Sequence, residues 1–532
     1  MYYLFYRITL KKLYLLLLLI VTVTGFVWHA NHAFAQSTST TPIKHLIVIY
    51  QENVSFDHYF ATYPNASNTK EPGEPQFYPK ANTPTVNGLS GSLLTDNPNT
   101  VNPFMIPRSN ATTCDNDHLY TRLQEAYNGG LMDKFVKTNN VGEGCSPSIT
   151  MGYFDGNTVT GLWNYAQHFS MSDNFFATTF GSSTPGHINL VSGQTHGATP
   201  QHLNTTQNGL NLWFVSNGTL IFDANPLYDN CFNPTTKSFP SVSMNGTNVG
   251  DLLNSKNVTW GWFQGGFKPT NMTSDGNPFC GSEHKPAKGK QVVVELSHRQ
   301  PPPEVDYLPH HEPFQYYKTT ANPDHLPPAS VQKIGHTDQA NHQYDISDFW
   351  NAAYSGNIPS VNFLKAPAYQ DGHAGYSNPL NEQRFIIEIV NHMQKLPEWN
   401  STTVIISYDD SDGWYDHVMP PIISQSNDPK TDALLGNGLC GKPLPGSYKD
   451  RCGHGPRLPF LIVSPFSKVN YVDHQINDQT SILKFIEDNW NLGRLGDQSF
   501  DSKAGSILNM FNFTTGHSAA KLFLDPSNGT TE

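Results

Sequence analysis

Four short apolar runs constrain the fold of this chain more than any other feature of its sequence. They are continuous rather than alternating, which is expected of strands that are covered on both faces of a sheet. The runs are HLIVIY (45–50), VNFL (361–364), TVIISY (403–408) and PFLIVS (459–464). A sheet covered on both faces needs a second kind of element to cover it.

Helical patterns lie between or after these runs. Residues 379–395 place apolar side chains on roughly one face: Leu380, Phe385, Ile386, Ile389, Val390 and Met393. We expect Asp478 to cap a second helix, whose apolar residues are Ile482, Leu483, Phe485, Ile486 and Trp490. Strands interleaved with helices predict an α/β fold with a largely parallel sheet.

Two long segments interrupt this pattern. Residues 64–113 are rich in Asn, Pro and Thr, and residues 285–341 contain a Pro-Pro-Pro run and many histidines. Loops of such length are usually functional or disordered. Since no internal repeat or linker is evident, we expect residues 36–532 to form one domain with these two loop excursions.

The N-terminus has the three-part layout of a secretory signal. Arg7, Lys11 and Lys12 precede an apolar stretch at 13–27, and the small-x-small sequence AFA at 33–35 follows. We expect residues 1–35 to be removed, which predicts a secreted or periplasmic protein. The alternative is an uncleaved membrane anchor, because the apolar stretch approaches spanning length. No other stretch is long and apolar enough to span, so no integral membrane span is expected after cleavage.

The six cysteines favour disulfides over a zinc site. Their number is even and no C-x-x-C spacing occurs, which in an exported chain is typical of disulfides. Pairing of neighbours along the chain predicts three bonds, although sequence alone does not determine the connectivity: Cys114–Cys145, Cys231–Cys280 and Cys440–Cys452.

The charge balance argues against nucleic acid as a partner. The formal net charge is −12, from 44 acidic and 32 basic residues, whereas phosphate backbones are bound by clustered Lys and Arg. The acidic residues can still serve a local purpose, because a few of them in one cleft can hold a cation.

Acidic and amide side chains follow two of the apolar runs. Glu52 and Asn53 come shortly after the first run, and Asp409 and Asp410 directly follow the third. In open α/β sheets, ligands bind beyond the carboxyl ends of the strands. These oxygens are suitable ligands for a divalent cation, which would also relieve the repulsion between the adjacent aspartates. DDSDG alone is also typical of a solvated acidic turn; the matching Glu-Asn favours the metal.

The candidate nucleophile is Ser183, in the segment FGSSTPGH (180–187). Proline is favoured at the first helical position, so Pro185 predicts Thr184 as the helix cap and places Ser183 at the helix mouth. Unpaired N–H groups and the helix dipole favour an anion there, which suits a phosphate and an activated alkoxide. The same residues also fit an ordinary capped helix start.

Histidines in polar, loop-like surroundings are the third element. The adjacent pair His310 and His311, and His373 in QDGH, are the better candidates, and His118 is another. Imidazole can protonate a leaving group or hold phosphate oxygens. A single loop histidine is also often structural or exposed.

Seven segments, in the same order as in the family, show that the chain resembles the bacterial phospholipase C and acid phosphatase superfamily. The segments are ENVSFDHYF (52–60), FGSSTPGHINLVSG (180–193), DYLPHHEPFQYY (306–317), NHQYD (341–345), QDGH (370–373), YDDSDGWYDH (408–417) and GPRLPFLIVSPFSK (455–468). The resemblance implies an alkaline-phosphatase-like α/β/α sandwich with long loop insertions.

The resemblance also implies roles for particular residues. Ser183 would be phosphorylated in turnover and would lie against one divalent metal, with four further ligands: Glu52, Asn53, Asp409 and Asp410. Four histidines would surround the phosphate, one of them as general acid: His118, His310, His311 and His373. The setting of His118 matches the family only loosely. Such oxygen ligands suit Ca, Mg, Mn or Fe about equally.

Within the family, two features favour the acid phosphatases. Gly186 stands where phospholipase-type members more often have Asn, and the chain ends near Glu532 whereas many phospholipase C relatives continue into further β domains. We therefore expect hydrolysis of phosphate esters through a phosphoserine intermediate. One alternative is a phospholipase C that releases a phosphorylated head group from phospholipids. A second is an inactive, metal-stabilised surface binding protein, which would have no reason to assemble nucleophile, ligands and histidines together.

Overall fold

The computed structural model describes residues 39–532 except 69–72, 143, 202–205, 208–209, 212–213, 232–239, 285–303 and 437–438. The expected signal sequence and part of the second loop excursion lie outside the described residues. Among the helices in the described ranges, none has the length and hydropathy to cross a bilayer.

Eight strands form one central sheet. They are β1 (His45–Gln51), β2 (Ser170–Ser172), β3 (Trp260–Gln264), β4 (Gln343–Asp345), β5 (Val361–Lys365), β6 (Thr402–Tyr408), β7 (Phe460–Val463) and β8 (Tyr471–Asp473). Their order is β4-β3-β5-β1-β6-β7-β2-β8. Strand β7 is antiparallel to both neighbours, and every other pairing in this sheet is parallel. All four apolar runs are strands, and the expectation of a largely parallel sheet is confirmed.

The longer helices of the described chain lie between or after these strands. They are α1 (Tyr120–Tyr127), α2 (Thr160–His168), α3 (Ser183–Ser192), α4 (Val249–Ser255), α5 (Ile346–Ser355), α6 (Pro379–Lys395) and α7 (Gln479–Asn489). Shorter α-helices are Phe56–Phe60, Ser92–Thr95 and Phe135–Thr138. Helix α6 has the predicted bounds, and Asp478 caps α7 by accepting a hydrogen bond from the backbone N–H of Ser481.

Two tyrosines show that helices cover both faces of the sheet. Tyr408 of β6 is in register with Gln51, so it points to the opposite face from Tyr50 of β1. The Tyr50 hydroxyl donates to the Gly186 carbonyl of α3 at 3.1 Å and accepts from the first side chain of α7 at 2.8 Å. The Tyr408 hydroxyl donates to Glu382 of α6. The fold is therefore an α/β/α sandwich, as expected.

The burial of the strands agrees with this double cover. Every residue of β5 and β6 is buried, so these strands present apolar side chains to both helix layers. Burying each large aliphatic or aromatic side chain contributes about 1.5–3 kcal/mol, which favours this arrangement of the continuous apolar runs.

All three predicted disulfides are present: Cys114–Cys145, Cys231–Cys280 and Cys440–Cys452. The first fixes the segment that leads into α1. The third joins two points within the long connection between β6 and β7.

Candidate active site

The carboxyl ends of neighbouring strands bring four polar side chains to one place. Glu52 and Asn53 follow β1, and Asp409 and Asp410 follow β6. Because β1 and β6 are adjacent and parallel, both pairs leave the same edge of the sheet. All four residues are buried, so they are not a solvated acidic turn.

Ser183 is the first residue of α3, not the residue before the cap. Ser182 is the N-cap residue, so the prediction of Thr184 as the cap is wrong. The physical reason is that Asp223, from a separate segment, accepts hydrogen bonds from the Thr184 backbone N–H at 2.8 Å and the Ser182 hydroxyl at 3.0 Å. A distant carboxylate satisfies the exposed N–H group that a local side chain usually caps.

The Ser183 hydroxyl lies among three of the four predicted ligands. Its Oγ is 3.1 Å from Glu52 Oε2, 3.2 Å from Asn53 Oδ1 and 3.3 Å from Asp410 Oδ2. Asp409 lies behind them, where its Oδ1 accepts from the backbone N–H groups of Asn53 at 2.9 Å and Asp410 at 2.7 Å. Three side chains thus meet the hydroxyl, and the fourth orients two of them.

The electrostatics of this cluster favour a cation. Burial raises the pKa of Glu52 well above its usual value, and the charge of Asp409 raises it further. Burial and Asp409 likewise raise the pKa of Asp410. Lys365, the last residue of β5, forms a buried ion pair with Glu52 that offsets part of this repulsion. The residues fit a divalent cation, since carboxylate, amide and hydroxyl oxygens are donors that such ions prefer.

Two buried histidines add nitrogen donors to the same place. Ligand atoms of Glu52, His187 and Asp409 lie within 4.8 Å of one another, and so do those of Glu52, His311 and Asp371. Imidazole nitrogen suits transition metals better than it suits Ca or Mg. The donor set is therefore richer in nitrogen than the four strand-end residues alone indicated.

The four predicted histidines surround the cluster. His311 Nδ1 is 3.2 Å from Glu52 Oε1, and the rings of His310 and His311 are 4.2 Å apart. His373 Nε2 lies 2.8 Å from the end of the Asn53 amide opposite the one that faces Ser183. The rings of His373 and His118 are 6.1 Å apart. The histidines thus lie in two pairs, His310 with His311 beside Glu52, and His373 with His118 beyond Asn53.

His118 differs from the other three in its charge environment. Burial lowers the pKa of His310, His311 and His373, which favours neutral imidazole rings. Burial alone would also lower the pKa of His118, but the carboxylates of Asp410 and Asp412 raise it well above its ordinary value. The Asp412 carboxylate lies 3.2 Å from His118 Nδ1. Of the four, His118 is the ring best placed to carry a proton.

Four further residues belong to the site that the sequence did not single out: His187, Lys365, Asp223 and Asp412. A signal existed for His187, because it lies four residues after Ser183 on one helix face, and for Lys365, because it ends an apolar strand. Asp412 was visible inside the acidic motif. Asp223 lies in an irregular segment with no periodic or motif signal.

Gly186 has a packing role that bears on the comparison within the family. A Cβ atom at this position would lie 2.4 Å from the Asp409 carbonyl oxygen, so α3 approaches the end of β6 too closely for any side chain. The glycine is therefore explained by the contact between α3 and β6. It does not require a difference in substrate.

The structure thus places a serine hydroxyl among buried acidic side chains at the strand ends of an α/β/α sandwich. The chain belongs to the phosphoesterase family, which it matches over residues 43–493. This confirms the family to which the sequence motifs point.

Curated relatives carry phospholipase names. A non-hemolytic phospholipase C of Pseudomonas aeruginosa is 22% identical over 486 residues, covering 88% of this chain and 57% of the relative. Phospholipase C B of Mycobacterium tuberculosis is 22% identical over 503 residues, covering 91% and 80%. The chain thus spans little more than half of the Pseudomonas relative. Among solved structures, murine ectonucleotide pyrophosphatase/phosphodiesterase 5 has a TM-score of 0.28 at 13% identity, covering 66% of this chain and 95% of that one.

Proposed function

We propose that this protein is an exported, metal-dependent phosphoesterase with Ser183 as its nucleophile. The observation that carries the proposal is the position of the Ser183 hydroxyl, within 3.3 Å of oxygens from Glu52, Asn53 and Asp410. A surface binding protein would not need a buried hydroxyl in this place. The three disulfides agree with an oxidising compartment outside the cytoplasm.

The reaction has two steps, formation of a phosphoserine and its hydrolysis. Ser183 Oγ attacks phosphorus as its proton passes to the neighbouring Glu52 carboxylate, and the bond from phosphorus to the leaving oxygen breaks. His118 protonates that oxygen, so an alcohol leaves and a phosphoserine remains. Water then attacks phosphorus and passes a proton to His118, the bond to Oγ breaks, and Ser183 recovers its proton from Glu52. A divalent cation, when bound, supplies positive charge that favours the alkoxide and the phosphoryl oxygens.

Two substrate classes fit the site. Phosphate monoesters, as for an acid phosphatase, are the first candidate, because imidazole rings beside the buried acidic cluster can hold phosphate oxygens and protonate a leaving group. Phospholipids are the second candidate, favoured by the phospholipase names of the curated relatives. Rates with a soluble aryl phosphate and with phosphatidylcholine vesicles separate the two.

Ser183→Ala tests the nucleophile. The variant should keep its metal, because the carboxylates remain, and lose hydrolysis by a factor of at least about 10³, since covalent catalysis is removed. Metal content by elemental analysis and turnover of an aryl phosphate measure the two effects. Ser182→Ala is the matched control, because its hydroxyl is directed to Asp223. Wild-type turnover in Ser183→Ala would show that the assignment is wrong.

A further inference from the structure

We propose that a surface beside the active site docks onto anionic phospholipid membranes. The surface, called the docking surface below, consists of residues 128–140 together with residues 419–449 apart from 437–438. It combines exposed leucine and isoleucine side chains with a basic cleft. The inference rests on the proposed function, because it concerns how lipid phosphoesters reach that site.

The topology places the docking surface on the side of the sheet where the site lies. Strand β6 ends at the carboxyl edge, and the antiparallel strand β7 begins at the same edge. The connection between them therefore starts and finishes beside the site. Residues 128–140, the other part of the docking surface, directly follow α1, and α1 itself follows His118. Helix α1 is about 12 Å long at the usual helical rise.

The two loops touch one another. A methyl group built on Gly129 would lie 3.4 Å from Leu439 Cδ1, and one on Gly130 would lie 3.8 Å from Met419 Cγ. The Cys440–Cys452 disulfide ties the longer loop to Cys452, and the Phe180 N–H, three residues before Ser183, donates to the Cys452 carbonyl at 3.0 Å. The surface is thus anchored to the segment that carries the nucleophile.

Four large apolar side chains project from these loops. Leu131 is 64% exposed, Leu444 74%, Leu435 45% and Ile423 40%. Apolar side chains that share one region of a surface mark interaction sites more often than isolated ones do. Each lies in a loop, so it can enter the boundary between head groups and acyl chains without moving the sheet.

A basic cleft lies against the same loops. It has a volume of about 580 Å³ and is lined by Arg122, Lys134 and Lys137, with Glu125 as its acidic residue. Lys134 is three residues from Leu131. Arg122 pairs with Glu125 at 2.7 Å, so the positive charge of the cleft comes from Lys134 and Lys137, on a chain whose formal net charge is −12. Basic side chains next to exposed leucines are complementary to anionic head groups above an acyl layer.

Vesicle sedimentation tests the docking surface without catalysis. Ser183→Ala protein is mixed with vesicles of equimolar phosphatidylglycerol and phosphatidylcholine, or of phosphatidylcholine alone. We expect binding to the anionic vesicles, and a decrease by a factor of about thirty on adding Lys134→Gln and Lys137→Gln, since each lysine at an anionic surface contributes a factor of about five. Leu131→Ser with Leu444→Ser should reduce binding to both compositions.

Two exposed leucines outside the docking surface provide the control. Leu326→Ser with Leu508→Ser removes leucines that are 43% and 46% exposed outside the docking surface, and it should leave vesicle binding unchanged. Equal binding of the docking-surface variants and their parent would overturn the proposal. When Ser183 is retained, the protein with Leu131→Ser and Leu444→Ser should hydrolyse a soluble aryl phosphate at the wild-type rate. If the wild-type protein hydrolyses no ester, the proposed function fails, whereas vesicle binding still decides the docking surface.

Discussion

Side chains from separate parts of the chain meet at the Ser183 hydroxyl, and each has a distinct physical task. Glu52 accepts its hydrogen bond, and Lys365 balances the charge of Glu52 from the neighbouring strand. Removing the partner of a buried charge costs about 3–5 kcal/mol, so the site depends on this pairing as much as on the acidic groups. Lys365, which balances the charge of Glu52, is thus as important to the site as the residues proposed to react.

His118→Asn tests the proposed general acid. Loss of the proton donor should slow esters with alkyl leaving groups by about 10²–10⁴, whereas nitrophenyl phosphate should slow much less because its leaving oxygen needs no proton. The ratio of kcat/KM for the two esters measures this difference. His417→Asn is a control, because that histidine pairs with Asp57 away from Ser183. An equal loss for both esters would contradict the role.

Glu382 should make stability depend on pH. Burial raises its pKa to about 8, although Tyr408 and Tyr59 donate hydrogen bonds that oppose the shift. Because the pKa of Glu382 is higher in the folded state than in the unfolded state, the folded protein keeps the Glu382 proton at pH values between the two. The stabilisation that this proton provides is complete at low pH and is lost as pH rises through about 8.

Urea unfolding at about pH 6 and about pH 9 measures the effect. Wild type should lose more free energy of unfolding across this interval than Glu382→Gln, whose neutral amide does not titrate. An identical loss in both proteins would show that Glu382 is already ionised in the folded state.

At the scale of elements, the contact between α3 and β6 sets the position of Ser183. Gly186→Ala would bring a methyl group to 2.4 Å from the Asp409 carbonyl oxygen, so the helix must shift. We expect a loss of stability of about 1–3 kcal/mol, as for overpacked sites, and a decrease in turnover because Ser183 moves with the helix. Thermal unfolding and hydrolysis rates measure both.

Gly142→Ala is the matched control for this substitution, because a Cβ atom there has no neighbour within 4 Å. It should leave both stability and turnover close to wild type. Full activity in Gly186→Ala would show that the end of β6 accommodates the methyl group without moving Ser183.

The elements also show what the sequence could and could not predict. Strands β1, β5 and β6 and helix α6 were predictable, because continuous apolar runs and a helical apolar face are local signals. The reversal of β7 was not, since its apolar run reads the same in either direction. The cap of α3 was missed because Asp223 reaches it from 39 residues away. The acidic and amide residues directly after β1 and β6 were found, whereas Asp223, which only a tertiary contact brings to the site, was not.

At the scale of the whole molecule, the disulfides should contribute according to the chain they enclose. Cys231–Cys280 spans 49 residues and Cys440–Cys452 spans 12. Chain entropy predicts losses of about 4 and about 3 kcal/mol when each pair is replaced by serine. Urea unfolding of the two double variants gives the order, and a larger loss for the shorter loop would indicate that native contacts outweigh loop closure.

The reversed strand β7 has a consequence for how such proteins diversify. Because the connection from β6 leaves and returns at one edge, the part of it that follows Asp412 can change in length without altering strand register. Exchanging this segment between relatives should change whether bulky or soluble substrates reach the site, while the reaction itself stays the same. Selection can thus act on this segment while the sheet and the residues around Ser183 stay constant.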